Sequence, residues 1–385
     1  MILAHKIALD PTTKQRIALA RAAGVARFAW NWSLAEWDRQ YKAGEKPTAA
    51  KLKKRWNAIK GEQFPWVYDS PKGANQQPFA NLQKAFSKFF KKTAKRPTFK
   101  RKGEHDAFYV ENDKLHMDGR TVVLPVIGRV RIREELRFFG KIMGAVVSRT
   151  AERWFVSVQV EIKDVTLPRT GDGEVGIDLG LTTFATISTG EKVEAPMPLR
   201  RALCGLRRAQ RKLSRRKKGS KRREKMKRRV ARMHRRVSDV RNDWLHKLST
   251  RICRENQAVA IEDLNVRGMA KNRCLARSIS DAGWGEFRRQ LTYKAARYGT
   301  RLAVVGRWEP TSKTCSGCGH VKPKLGLSER EYFCEGCGLV IDRDVNAAIN
   351  ICTLGLRGIH ARGEATAASN LVKPRTKPCM LAYTT

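Results

Sequence analysis

The sequence predicts a mixed chain of α/β and α+β type, built from more than one domain. Three observations carry this. Alternating apolar and polar residues mark a strand-rich stretch in the first half. From residue 174 on, apolar strands alternate with long helices. A compact module with four cysteines then interrupts that second part before a last helix.

The elements follow in order. Residues 2–9 read as a short strand. Asp10-Pro11 starts a helix, with proline near the first turn, and two helices are expected, split at Gly24. The pattern stays helical to about residue 95, including NLQKAFSKFFKK at 81–92. RTVVLPVIGRVRI (120–132) and RWFVSVQVEI (153–162) alternate, the second placing Trp154, Val156, Val158, Val160 and Ile162 on one face of a half-exposed sheet or barrel. Residues 163–173 are linker-like. EVGIDLGLTTFATISTGEKV (174–193) reads as two strands, with Thr189-Gly190 turning into a third. Residues 200–252 are long helices, QAVAIEDL (257–264) is a buried strand, 284–299 a helix ending at glycine, and 301–306 another strand. A helix resumes at about 345, and the chain after about 355 is expected to be loosely ordered.

Composition bounds the partners. The chain has 385 residues, 41% of them hydrophobic, enough for real cores. Lys and Arg number 79 against 36 Asp and Glu, a formal charge of +43. Such a charge repels itself unless it meets a polyanion, and nucleic acid is the expected one. No apolar run approaches the ~20 residues of a membrane span, and MILAHKIALD lacks the apolar core of a signal peptide. A cytoplasmic protein with no membrane partner is expected, and in a reducing compartment paired cysteines read as metal ligands.

Between Arg200 and Arg236 lie twenty Lys or Arg and one acid, Glu224. Met226, Val230, Met233, Val237, Val240, Trp244, Leu248 and Ile252 step by three or four, an apolar stripe on an otherwise basic helix. Leu203, Leu206 and Leu213 make a shorter stripe before a break at Gly219-Ser220. The expected result is a helical hairpin, packed on one side and binding phosphates on the other without reading bases. Trp30, Trp32, Trp37, Trp56 and Trp66 could stack on bases, but core packing is the simpler role for most.

Cys315-x-x-Cys318 and Cys334-x-x-Cys337 are separated by fifteen residues. Two such loops complete an all-cysteine tetrahedral zinc site, closed and therefore structural. Cys204, Cys253, Cys274, Cys352 and Cys379 have no partner at metal spacing, and His320 is expected to be solvent-exposed. Among the acids, Asp178 lies inside the apolar strand GIDLG and Glu262 inside AIEDL, where a charge is costly unless paired or metal-bound. A buried salt bridge is the default for one such acid. The cysteine module is followed by Asp342 or Asp344, which spacing does not separate. Three carboxylates meeting on a sheet bind two Mg2+ or Mn2+ ions roughly 4 Å apart, which suits phosphodiester cleavage. Strand alternation sends Asp263 to the opposite face.

GIDLG, AIEDL, SKTCSGCG, YFCEGCG and DRDVNAAIN together resemble the TnpB family, the OrfB-type proteins of bacterial insertion sequences related to type V CRISPR nucleases. The resemblance runs from FAWNWSLAEW (28–37) through PTFKRKG (97–103) to about residue 352. It implies a RuvC-type, RNase H-like nuclease domain with an inserted zinc ribbon, preceded by a β-barrel wedge interrupted by a helical region. With the elements above, the expected boundaries are a wedge at 1–10 and 96–168, helices at 11–95, the nuclease domain at 174–310 and 341–355 with the basic hairpin at 200–252, and a zinc ribbon at 311–340; the tail at 356–385, read as flexible, lies beyond the resemblance. It also implies an RNA-guided DNA endonuclease of a transposable element, with a guide RNA and double-stranded DNA as partners and a monomer on RNA. By motif, Asp178, Glu262 and Asp344 match the three catalytic, Mg2+-binding acids. The rival readings are a transposase joining DNA strands and a guide-bound DNA-binding regulator that does not cut.

Overall fold

A computed structural model describes residues 1–163, 166–326 and 328–368. The chain divides into two compact units, Met1–Val165 with Arg216–Arg235, and Thr166–Arg215 with the chain from Arg236 on. The basic segment 216–235 thus groups with the first unit.

In the first unit, strand β1 (Ile2–Asp10) leads into helix α1 (Thr13–Lys42), α2 (Ala49–Gln63) and α3 (Lys72–Phe90). Six strands follow: β2 (Ala107–Glu111), β3 (His116–Asp118), β4 (Thr121–Leu124), β5 (Gly128–Ile132), β6 (Lys141–Thr150) and β7 (Arg153–Glu161). They pair in the order β2-β6-β7-β1-β5-β4-β3, antiparallel throughout. β1 runs along β7 from Ile2 to Ala8, then changes partner and meets β5 at Leu9 and Asp10. The alternation of β7 is realised: Trp154, Val156, Val158 and Val160 are buried, and Ile162 is partly buried.

The expected break at Gly24 does not occur. α1 is one helix, opened by a capping box in which Thr12 and Gln15 bond each other's backbone N–H. A mid-helix glycine costs about 1 kcal/mol against alanine. Here Leu19, Ala22, Ala23, Val25, Ala26 and Ala29 are buried around it, which outweighs that cost. Trp30, Trp37 and Trp56 are core residues, Trp32 packs partly buried against them, and Trp66 stays 44% exposed. On the basic segment, Arg228 and Arg232 donate to the Glu152 carboxylate at 3.1 and 3.2 Å.

The second unit holds β8 (Gly173–Asp178), β9 (Ala185–Ile187), β10 (Lys192–Val193), α4 (Pro198–Ser214), α5 (Lys221–Glu255, reaching in from the first unit), β11 (Asn256–Glu262), α6 (Val266–Met269), α7 (Ala276–Ala282), α8 (Trp284–Tyr298) and β12 (Arg301–Val305). After the cysteine hairpin β13 (Glu331–Phe333) and β14 (Val340–Asp342) comes α9 (Arg343–Ala368). The helical span of α9 runs past residue 356 to Ala368; residues 369–385 lie outside the described residues. The central sheet runs β10-β9-β8-β11-β12, with β8, β11 and β12 parallel and β9 and β10 antiparallel.

The two faces of this sheet differ. Val175, Ile177, Val259 and Ile261 meet Leu245, Leu248 and Ile252 of α5 and Phe287, Leu291 and Ala295 of α8. The apolar stripe of α5 was expected to include Val240, but Val240 is exposed and Leu245 is the buried residue. Arg241 explains the offset: its guanidinium bonds the backbone and carboxylate of Asp281, which turns Val240 outward. The other face carries Gly176, Ala260 and Ala303, and α9 lies on it with Ala348, Ile351 and Gly355. The approach is close enough that a Cβ on Gly176 would sit 2.1 Å from the Ala348 carbonyl oxygen.

Candidate active site

That small-residue face positions the acids. Side chains alternate along a strand, so Gly176 and Asp178 share a face, as do Ala260 and Glu262. Ile177 and Ile261 are register partners on parallel strands. Asp178 and Glu262 therefore end neighbouring strands at the same level, about 4.8 Å apart in strand spacing, both toward α9. Asp344 lies in the first turn of α9.

Asp178 feels both other acids. Its carboxyl is pushed up to about 7, first by burial and then by the charges of Glu262 and Asp344. The Leu179 N–H and the Arg343 guanidinium pull the other way and do not win. Glu262 is oriented by Thr311, whose hydroxyl donates to its Oε1 at 2.6 Å. Asp263 faces away and pairs with Arg288 of α8 and with Arg307.

Asp342 and Asp344 occupy different environments. Asp342 Oδ1 accepts the backbone N–H of Asp344 and Val345 at 3.0 and 3.1 Å, which caps α9, while its Oδ2 takes the Lys192 ammonium at 2.6 Å. Burial alone would raise its carboxyl, but Lys192 and the two N–H groups hold it below the usual value. Both of its oxygens are thus already engaged. Asp344 carries no such partners on its carboxylate among the bonds of the described residues.

The cysteines form a second cluster. Cys315, Cys318, Cys334 and Cys337 place all four sulfurs within 4.8 Å of one another, the one such set of metal-capable side chains among the described residues. The sulfurs of Cys315 and Cys337 are 3.7 Å apart and those of Cys318 and Cys334 3.5 Å. Four Zn–S bonds of about 2.3 Å in a tetrahedron put sulfurs about 3.8 Å apart, whereas a disulfide needs about 2.05 Å. Each knuckle closes alike: Gly319 N–H bonds Cys315 carbonyl at 3.0 Å, and Gly338 N–H bonds Cys334 carbonyl at 2.9 Å. Both glycines have φ near +75° to +78°, a conformation other residues resist. Burial opposes ionising Cys334, but N–H groups of Cys337 and Gly336 aimed at its sulfur lower it to about 6. The neighbouring sulfurs push Cys318 and Cys337 the other way, so without a cation the cluster favours one thiolate rather than four.

Sequence reasoning missed the ties between hairpin and helix. Asn346, fully buried, accepts the Ser316 N–H and donates to the Thr314 carbonyl at 2.9 and 2.7 Å. Asn350 donates to the carbonyls of Thr311 and Thr314. The signal was their spacing of four along a helix, in NAAIN.

Comparisons with known proteins concern the family. Residues 157–273 match the family described as "Probable transposase", 284–351 a "Cas12f1-like, TNB domain", and 1–46 a "Helix-turn-helix domain". In the structure, 1–46 hold one strand and one unbroken helix. A Streptomyces pristinaespiralis protein named "Putative RNA-guided DNA endonuclease" is 42% identical over 92% of this chain and 89% of its own length. "Putative RNA-guided DNA endonuclease InsQ" of Escherichia coli K12 is 33% identical over 96% of both chains. A solved CasPhi-2 (Cas12j)–crRNA structure aligns with TM-score 0.45 and 11% identity over 92% of this chain and 98% of that one, a likeness that carries no argument. At the identities and coverage of these relatives, the chain belongs to the TnpB family, the OrfB type of insertion-sequence protein.

Proposed function

We propose that this protein is an RNA-guided DNA endonuclease of a transposable element, hydrolysing phosphodiester bonds at Asp178, Glu262 and Asp344. One observation carries the reading: Asp178 and Glu262 end register-paired parallel strands, and the charges of Glu262 and Asp344 both act on the Asp178 carboxyl. Three acids converge there, in a chain of net charge +43, without enough positive charge beside them. A donor set of carboxylate oxygens suits Mg2+ or Mn2+. When bound, two such ions supply an activated water and stabilise the leaving oxygen. The chain's own part is positioning. Thr311 fixes Glu262, Asp342 fixes the start of α9 and so Asp344, and Gly176 lets that helix approach. Asp178 must be ionised to take part, so protons compete with metal below about pH 7.

In this reading the five-stranded sheet with α9 is a RuvC-type, RNase H-like domain. The seven-stranded sheet with its helices is the wedge and recognition part. The four cysteines hold one structural zinc, since four thiolates leave no open position. Guide RNA and double-stranded DNA are the partners, held by backbone charge and duplex shape while base pairing reads the sequence. The protein acts as a monomer on RNA in the cytoplasm. Among the described residues no helix is long and apolar enough to cross a membrane.

The test is to purify the protein with its RNA, sequence that RNA, and supply a matched duplex with Mg2+. Cutting should be lost in Asp178→Ala, Glu262→Gln and Asp344→Asn. Persistent cutting in any of them refutes the site, and no specific RNA refutes the guide. The family description "Probable transposase" favours a second outcome, DNA strands joined rather than hydrolysed.

A further inference from the structure

One aromatic side chain lies outside every core, on a turn whose end is tied to Glu262. Trp308 is 91% exposed and makes no ring contact or hydrogen bond among the described residues. It sits in the turn that follows β12. The flanks of that turn are anchored on the end of β11. Val305 pairs in register with Glu262, and Arg307 bonds Asp263 at 2.5 Å. On the far side Thr311 is buried, donates to Glu262 at 2.6 Å, and gives its carbonyl to Asn350 at 2.8 Å. Within the turn, Glu309 N–H bonds the Gly306 carbonyl and Thr311 N–H bonds the Glu309 carbonyl.

A large indole in open solvent, on a turn pinned at both ends, is poorly explained by packing. Three chain steps of about 3.8 Å keep its Cα within about 11 Å of Thr311, which touches Glu262. That is a few nucleotides along a strand lying in the site. Indole faces stack on any unpaired base, and such stacking does not depend on sequence.

We propose that Trp308 is a stacking platform for an unpaired base of the DNA strand being cut, a positioning residue for the scissile phosphate. This rests on the nuclease reading above. Stacking supplies a contact made equally before and during bond cleavage, so its loss should raise KM more than it lowers kcat. Net charge delivers the strand without fixing its register; the indole fixes one nucleotide against the acids.

The experiment uses the full chain with its bound RNA and a short single-stranded DNA carrying 2-aminopurine. Wild type should quench the probe, and a fully paired duplex of the same sequence should not be quenched. Trp308→Ala should lose the quench and bind on the order of tenfold more weakly, while Trp308→Phe keeps most of both. Equal quenching and affinity in Trp308→Ala overturn the proposal. So does an equal loss in Trp308→Ala and Trp308→Phe accompanied by a lower Tm, which would mark a structural role. Binding is read without cutting. A wild type that quenches but never cuts therefore refutes the nuclease, not the stacking.

Discussion

Gly176→Ala tests the packing that brings the acids together. The added methyl carbon would lie 2.1 Å from the Ala348 carbonyl oxygen and 2.4 Å from the Cys352 nitrogen, both backbone atoms of α9. Ordinary carbon contacts begin at about 3.5 Å, so the helix must retreat by about 1 Å. No side chain can swing aside to absorb this. Overpacking of this kind costs about 1–3 kcal/mol, a Tm drop of about 2–12 °C for a unit of this size. Asp344 rides on the first turn of the same helix, and a displacement of about 1 Å can cost about 100-fold in rate. Thermal unfolding and Mg2+-dependent cleavage of a matched duplex read the two effects. Gly285→Ala, whose Cβ would meet nothing within 4 Å, is the control: it should leave cleavage unchanged and, as a glycine replaced inside a helix, should not lower Tm. Unaltered Tm and cleavage in Gly176→Ala would refute the account of how α9 sets the site.

Other expectations follow from the same geometry. Asp178 has a folded value of about 7 against 3.8 unfolded, so the folded state binds the extra proton and stability falls as pH rises from about 4 to 7. Asp178→Asn should therefore stabilise the protein above pH 7, by at most about 4 kcal/mol, and not below pH 4; added Mg2+ should shrink the difference, and a pH-independent difference refutes it. Asp344→Asn should abolish cleavage, whereas Asp342→Ala should remove a cap worth about 1 kcal/mol and leave measurable cutting; the reverse result would exchange their roles. Cys334→Ser should release one zinc per chain and unfold the hairpin, seen by metal assay and circular dichroism, since metal supplies on the order of 10 kcal/mol to such a module. Retention of zinc would refute the four-thiolate site. Nucleic-acid affinity should fall steeply with salt, and Arg228 and Arg232 changed to Gln should flatten that slope by about one each if they contact phosphates.

The acids and cysteines were legible because they break a local pattern. Asp178 and Glu262 stand where a strand should be apolar, and two C-x-x-C pairs have little other use in a reducing compartment. What stayed hidden depends on partners distant in sequence. Nothing near Asp342 announces Lys192, which lies 150 residues away and occupies its carboxylate. The stripe on α5 misplaced Val240 because Arg241 is held by Asp281, forty residues on. Gly24 looked like a helix break because propensity is local while its buried neighbours are not. Sheet order, too, follows from pairing of strands across the chain, such as Ile177 with Ile261.

The start of α9 separates two kinds of metal dependence. A helix N-terminus acts as roughly half a positive charge, and here it lies at Asp344, with Arg343 beside it acting on Asp178. It offsets part of the repulsion among the carboxylates but not all of it, since Asp178 stays raised to about 7. If the proposed ions bind there, the sheet should fold without them, and they should exchange with the solution. The cysteine hairpin, with a buried cluster of only a few side chains, has no such substitute. A zinc ion held by its four thiolates should instead arrive with folding and stay. Chelators of graded strength should strip activity reversibly long before they touch the fold.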